Sequence, residues 1–99
     1  MTALVVLGPG DAGEPGWAEA HSIAEIEELV RAGHTVAVTP AVLAADDQEA
    51  AELAAASICA WAGARVFRTT RPDQVRLAVE MTESLAGRRP PALTRRGLA

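Results

Sequence analysis

A short apolar run followed by an amphipathic stretch recurs three times along the chain, and this alternation restricts it to an α/β architecture with parallel strands. The first run, Ala3 to Leu7, is continuously apolar, as expected of a strand covered on both faces. Residues 8 to 16 then hold four glycines and two prolines, so no helix is expected before about Trp17. Ser22 and Glu25 have capping-box spacing, Ile23, Ile26, Leu29 and Val30 recur at helical intervals, and Gly33 supplies the stop. The second strand, Thr35 to Thr39, runs through Pro40 into an expected loop of Ala41 to Ala45. Asp46 is the expected cap of the next helix, whose buried stripe reads as Ala50, Leu53, Ala54, Ile58 and Trp61 as far as Gly63. The third strand, Arg65 to Thr69, leads through Thr70 or Arg71 as cap and Pro72 at the first position into a helix. Val75, Ala78, Val79, Thr82 and Leu85 form its stripe before Gly87.

Residues 1–87 therefore read as a single βαβαβα domain, and residues 88–99, with four arginines, two prolines and no acid, as a basic disordered tail. Parallel strands joined by helices leave two architectures open: three successive strands of a TIM barrel, or a small doubly wound sheet. Three strands alone leave two sheet edges and, in the barrel case, an inner face without cover. Association with a second chain is expected from that deficit.

Composition excludes several chemistries. All nine basic residues are arginine, so a Schiff-base, P-loop or general-base lysine is ruled out. Twenty-two alanines and only three aromatic residues imply an interior of small side chains packed closely. Residues 1–87 carry five arginines against thirteen acids, a net charge of -8, which repels nucleic acid. The single Cys59 has no disulfide partner and reads as a buried thiol in a reducing cytoplasm. No segment is long enough to serve as a signal peptide or a membrane span, so no membrane partner is expected.

Few residues qualify for a site. Gly8-Pro9-Gly10-Asp11-Ala12-Gly13 matches G-x-G-x-x-G after a strand, yet Glu14-Pro15-Gly16 extends the loop where a dinucleotide fold would begin its helix. No nucleotide cofactor is expected. His21, His34 and Cys59 lack metal-ligand spacing, Asp46 and Asp47 read as capping residues, and Ser22 and Ser57 lie in a cap and a helix. Neither metal nor catalytic residue is expected. Trp17 and Trp61 read as packing residues. Arg68 stands near the carboxyl end of the last strand, where both architectures place ligands, and reads either as a clamp for a phosphate or carboxylate or as a surface ion-pair arginine.

A resemblance extends from Leu4 to Leu85. Gly63-Ala64-Arg65-Val66-Phe67-Arg68-Thr69-Thr70 is similar to the Gly-Ala-x-Val-x-Arg-x-His strand near the end of dihydropteroate synthases, the pterin-binding barrel enzymes of folate synthesis. Leu7-Gly8-Pro9-Gly10 resembles that family's Asp-Pro-Gly strand end, and Thr35 to Thr39 the strand before its Ser-Arg-Lys segment. The departures follow the chemistry. The family's aspartate falls at Gly8, its Ser-Arg-Lys around Pro40-Ala41-Val42, its histidine at Thr70, and its active-site lysine has no counterpart. The resemblance thus implies a truncated, non-catalytic relative. In the family the arginine matched by Arg68 lies at the anion-binding end, and the last helices form the subunit interface. Two roles are implied: self-association or service as an accessory subunit of a larger pterin enzyme, and binding of an anionic or pterin-like small molecule. Arg68, Thr70, Gly8, Gly10 and Thr39 are the expected binding residues.

Overall fold

A computed structural model describes residues 3–88 as a four-stranded parallel sheet with four helices. The strands are β1 (Val5–Leu7), β2 (Ala18–Glu19), β3 (Val36–Val38) and β4 (Val66–Arg68). The helices are α1 (Ile23–Arg31), α2 (Pro40–Ala44), α3 (Glu49–Ala62) and α4 (Pro72–Leu85). Across the sheet the order is β1-β4-β3-β2, with every pair parallel.

The three expected strands are present, and a fourth lies between the glycine-rich segment and α1. Ala18 N–H donates to Thr35 O at 2.9 Å and Ala20 N–H to Ala37 O at 3.0 Å, so β2 covers the free edge of β3. Two residues are too few to carry a period-2 signal, so the sequence does not reveal them. The order also departs from three successive barrel strands. The third expected strand, β4, lies between the first, β1, and the second, β3, because the long segment after β1 takes the chain to the opposite edge. The mixed α/β class with parallel strands stands, while the count becomes four strands and four helices.

Local chemistry explains most element boundaries. Ser22 Oγ accepts Glu25 N–H at 3.1 Å, whereas Glu25 Oε1 reaches back to His21 N–H at 2.6 Å, one residue earlier than the usual box. The expected loop after Thr39 is instead helix α2, because Pro40 at its first position supplies a helical φ and the next four residues tolerate it. It ends after one turn, at Ala45 with φ 54°. Asp46 does not cap α3. Its Oδ1 accepts Gln48 N–H at 2.8 Å in a side-chain turn, and Gln48 takes the N-cap position.

Helices α1, α3 and α4 pack side by side, with α2 against α3. Register sets which strand residues face them. Val6, Phe67 and Val38 are aligned across β1, β4 and β3, and join Val36, Leu4 and Ala20 in the core with Ile26, Ala56, Cys59, Ala60, Val75 and Val79. The alternate residues Val66 and Ala37 point to the opposite face yet are fully buried. On that face Arg68 of β4 reaches over β3 to Glu19 of β2, and the segment carrying Gly13 and Trp17 packs on Arg68. A Cβ at Gly13 would lie 2.9 Å from Arg68 Nη2, so the loop approaches the end of that side chain closely. The ion pair and loop thus supply cover that the three-stranded reading lacked.

The largest departure concerns α3. Of the expected stripe, Ala50 and Ala54 are exposed, Ile58 is 55% exposed and Trp61 57%, while only Leu53 is partly inside. Its buried residues are Glu52, Ala56, Cys59 and Ala60. In a helix of mostly alanine the apolar period is nearly featureless, so the bulkiest side chains attract the assignment although the sheet accepts only small ones. Leu85 at the end of the α4 stripe is likewise 80% exposed. Trp61 is therefore no core packing residue.

Arg88 donates to Ala60 O and, at 2.6 Å, to Trp61 O, closing the carboxyl end of α3 with a cation. The rest of the expected tail, residues 89–99, lies outside the described residues.

Candidate functional site

The carboxyl ends of β1, β4 and β3 open into a cavity of about 500 Å³. Gly8, Gly10, Thr39, Arg68 and Thr70 all line it, so the five residues singled out in the sequence meet in one place. Each arrives by a different route. Gly8 follows β1 directly, and its N–H donates to Asp11 Oδ2 at 2.7 Å, which folds the glycine segment back over the strand end. Gly10 holds a φ of +86°, a conformation that favours glycine. Thr39 is the N-cap of α2, Arg68 closes β4, and Thr70 lies exposed between β4 and α4.

The cavity has a polar floor that the sequence did not disclose. Glu52 of α3, only 2% exposed, accepts from Arg71 Nη1 at 2.6 Å through one oxygen and from the Thr69 hydroxyl through the other. Thr69 Oγ1 in turn accepts Arg71 N–H at 2.9 Å, and Arg71 Nη1 also donates to Asp47 O at 2.9 Å. These bonds fasten the start of α3 to the start of α4. Two signals could have revealed the cluster: a lone acid on the Ala56, Cys59 and Ala60 side of an alanine helix, and a second arginine three residues after Arg68.

Electrostatics decide what the site can do. Both lining guanidinium groups have carboxylate partners, Arg68 with Glu19 and Arg71 with Glu52. Asp11 and Asp47 also line the cavity, so acids there outnumber arginines by three to two. The two pairs differ in how readily they could release their arginine. Glu52 is buried and its replacement by a ligand would strand a charge, whereas Arg68 and Glu19 are each more than a third open to solvent or close to it, at 35% and 45%. Of the two pairs, that of Arg68 with Glu19 is the more open to solvent. The Thr69 hydroxyl is buried and engaged twice, donating to Glu52 and accepting Arg71 N–H.

Other groups considered from the sequence lie apart from this cavity. Cys59 is buried in the core, where desolvation pushes its thiol up to about 11. His21 stands on the surface 3.4 Å from Glu25. Among the described residues, no three His, Cys, Asp or Glu side chains gather as a metal would require, and no helix is long and apolar enough to cross a membrane. Compared with protein-family models, curated proteins and solved structures, the chain matches none of them.

Proposed function

We propose that this chain works by association, as a non-catalytic homo-oligomer or as a small accessory subunit of a larger pterin- or folate-type enzyme. The observation that carries the reading is the outer surface of the two adjacent helices α3 and α4. Ile58 and Trp61 on α3, and Leu77, Met81 and Leu85 on α4, are each more than half exposed. The three α4 residues recur four apart, on the side away from Val75 and Val79. Such a concentration of large apolar side chains on neighbouring elements marks an interaction surface, whereas single ones are ordinary.

Light scattering behind gel filtration tests this reading directly. The expected result is an oligomer at micromolar concentration, or a stable complex with a pterin synthase from the same organism. A monomer that binds no such enzyme would end it.

A second reading has its own observation, the convergence of Gly8, Gly10, Thr39, Arg68 and Thr70 on one cavity. In it, a small anionic or pterin-like molecule displaces Glu19 from Arg68, while Asp11 or Asp47 accepts from the ligand's donors. Calorimetric titration of pterin, pterin pyrophosphate and phosphate into the parent and an Arg68→Ala variant tests it. Binding that the substitution weakens about tenfold or more supports the reading. Equal heats from both proteins would remove Arg68 from it.

A further inference from the structure

Residues 8–19 form a strap that leaves the carboxyl end of β1, passes β4 and β3, and ends as β2 at the far edge of the sheet. Little fastens its middle. Residues 9–16 are exposed, and the N–H groups of Asp11 and Trp17 donate to Gly8 O and Glu14 O, closing turns within the segment. Strand β2 is two residues long, aligned with Val36 and Ala37 of β3.

Arg68 ties this strap to the centre of the sheet. Its Nη1 donates to Glu19 Oε2 of β2, and its Nη2 lies where a Cβ on Gly13 would stand 2.9 Å away. The same Cβ would lie 3.6 Å from Trp17 Cε3, so guanidinium, glycine and indole converge. Both terminal nitrogens of the fork therefore face the strap, while the side chain also lines the cavity at the strand ends.

These two engagements compete. A guanidinium grips an oxyanion best through two parallel N–H bonds, and an anion in the cavity gains that grip by taking Arg68 away from Glu19 and Gly13. The pair can separate, because its side chains are 35% and 45% exposed and both charges then meet water. The neighbouring pair of Arg71 and Glu52 offers no such exchange, since Glu52 is buried.

We infer that Glu19 is a built-in competitor for the cavity, and that a phosphate-type oxyanion held by Arg68 releases the strap, loosening β2 and the Trp17 segment. The inference rests on the reading of this cavity as an anion site and adds how that site is regulated. Linkage makes the coupling reciprocal: whatever removes Glu19 from Arg68 strengthens the anion, and the anion weakens the strap by the same factor.

The test uses the full chain with Trp61→Phe, which leaves Trp17 as the single indole. Inorganic phosphate is titrated at constant ionic strength, maintained with sodium chloride. Three quantities are read: phosphate affinity by calorimetry, quenching of Trp17 fluorescence by acrylamide, and hydrogen exchange at the Ala18 amide. Phosphate is expected to increase the quenching and to speed the exchange about tenfold. Glu19→Gln is expected to bind phosphate about tenfold more tightly than the parent and to show the loosened strap before phosphate is added. Arg68→Ala should show the loosened strap with no response to phosphate, and Arg68→Gln replaces it if it does not fold. A gain in affinity is the decisive sign, because a glutamate that only stabilised β2 would not oppose the anion. Affinity unchanged or weakened in Glu19→Gln would overturn the competition while leaving the cavity as an anion site. Phosphate bound without change at Trp17 and Ala18 would overturn the release of the strap. Phosphate bound by neither the parent nor Glu19→Gln would overturn the inference and leave the cavity reading to its own titrations with pterin compounds.

Discussion

Glu52 shows how one side chain can hold a site together without being its chemistry. Its carboxylate is buried under Arg71 and Thr69, and the two bonds join the start of α3 to the start of α4. Arg71→Ala leaves that charge without its cation, and the expected loss of stability is about 3 kcal/mol. Adding Glu52→Gln to Arg71→Ala should recover part of the loss, because the stranded charge is removed. Urea unfolding of the three proteins measures both effects, and a double variant no better than Arg71→Ala would show that the charge is not the cause. Cys59 supports a pH prediction of defined sign. Its thiol ionises at about 11 when folded and near 9.0 in the unfolded chain. The unfolded state therefore loses its proton first as pH rises. The contribution of Cys59 is complete below pH 9 and declines as pH rises toward 11. Unfolding free energies between these values should fall with pH in the parent and fall less in Cys59→Ala. Reaction with a thiol reagent at pH 8 should be slow in the native protein and immediate in urea.

At the level of elements, glycine positions distinguish a turn from a contact. Gly33 and Gly63 both end a helix with positive φ, at +90° and +116°. A Cβ at Gly33 would meet nothing within 4 Å, whereas one at Gly63 would lie 2.9 Å from Val30 Cγ2. Gly33→Ala should cost about 1 kcal/mol through backbone strain alone, and Gly63→Ala about 2 kcal/mol or more, because α1 must also move. Thermal unfolding ranks the two, and equal losses would show that Val30 yields freely. The same elements show what a sequence can disclose. The strands β1, β3 and β4 were legible because apolar runs bounded by Gly, Pro and caps have few alternatives. Strand β2 was not, since Ala18 and Glu19 carry no pattern. Helix α2 was hidden by Pro40, whose role at a helix start resembles its role in a turn. The five cavity residues were legible as residues after strand ends, a place the fold class dictates. Glu52, Thr69 and Arg71 were not, because their cluster depends on which face of an alanine-rich helix turns inward.

For the whole molecule, the outward placement of Ile58 and Trp61 changes what the chain needs to be stable. Its fully buried core is assembled from valines, alanines, Ile26, Phe67 and Cys59, with several large apolar side chains left at the surface. If a partner covers that surface, stability is linked to association, and the melting temperature should rise with protein concentration. The rise should be absent in Trp61→Ala. A parent whose melting temperature is independent of concentration would separate folding from association.

The sheet order has a kinetic meaning as well. Val5 is aligned with Val66, about sixty residues later, whereas β2, β3 and β4 each lie beside the strand next in sequence. Closing that long loop is entropically slow compared with forming the successive strand and helix units. Strand β1 therefore waits for β4, which is made about sixty residues later. Until the two pair, β1 is a bare apolar segment, and β4, once made, keeps an open edge for whatever strand reaches it first.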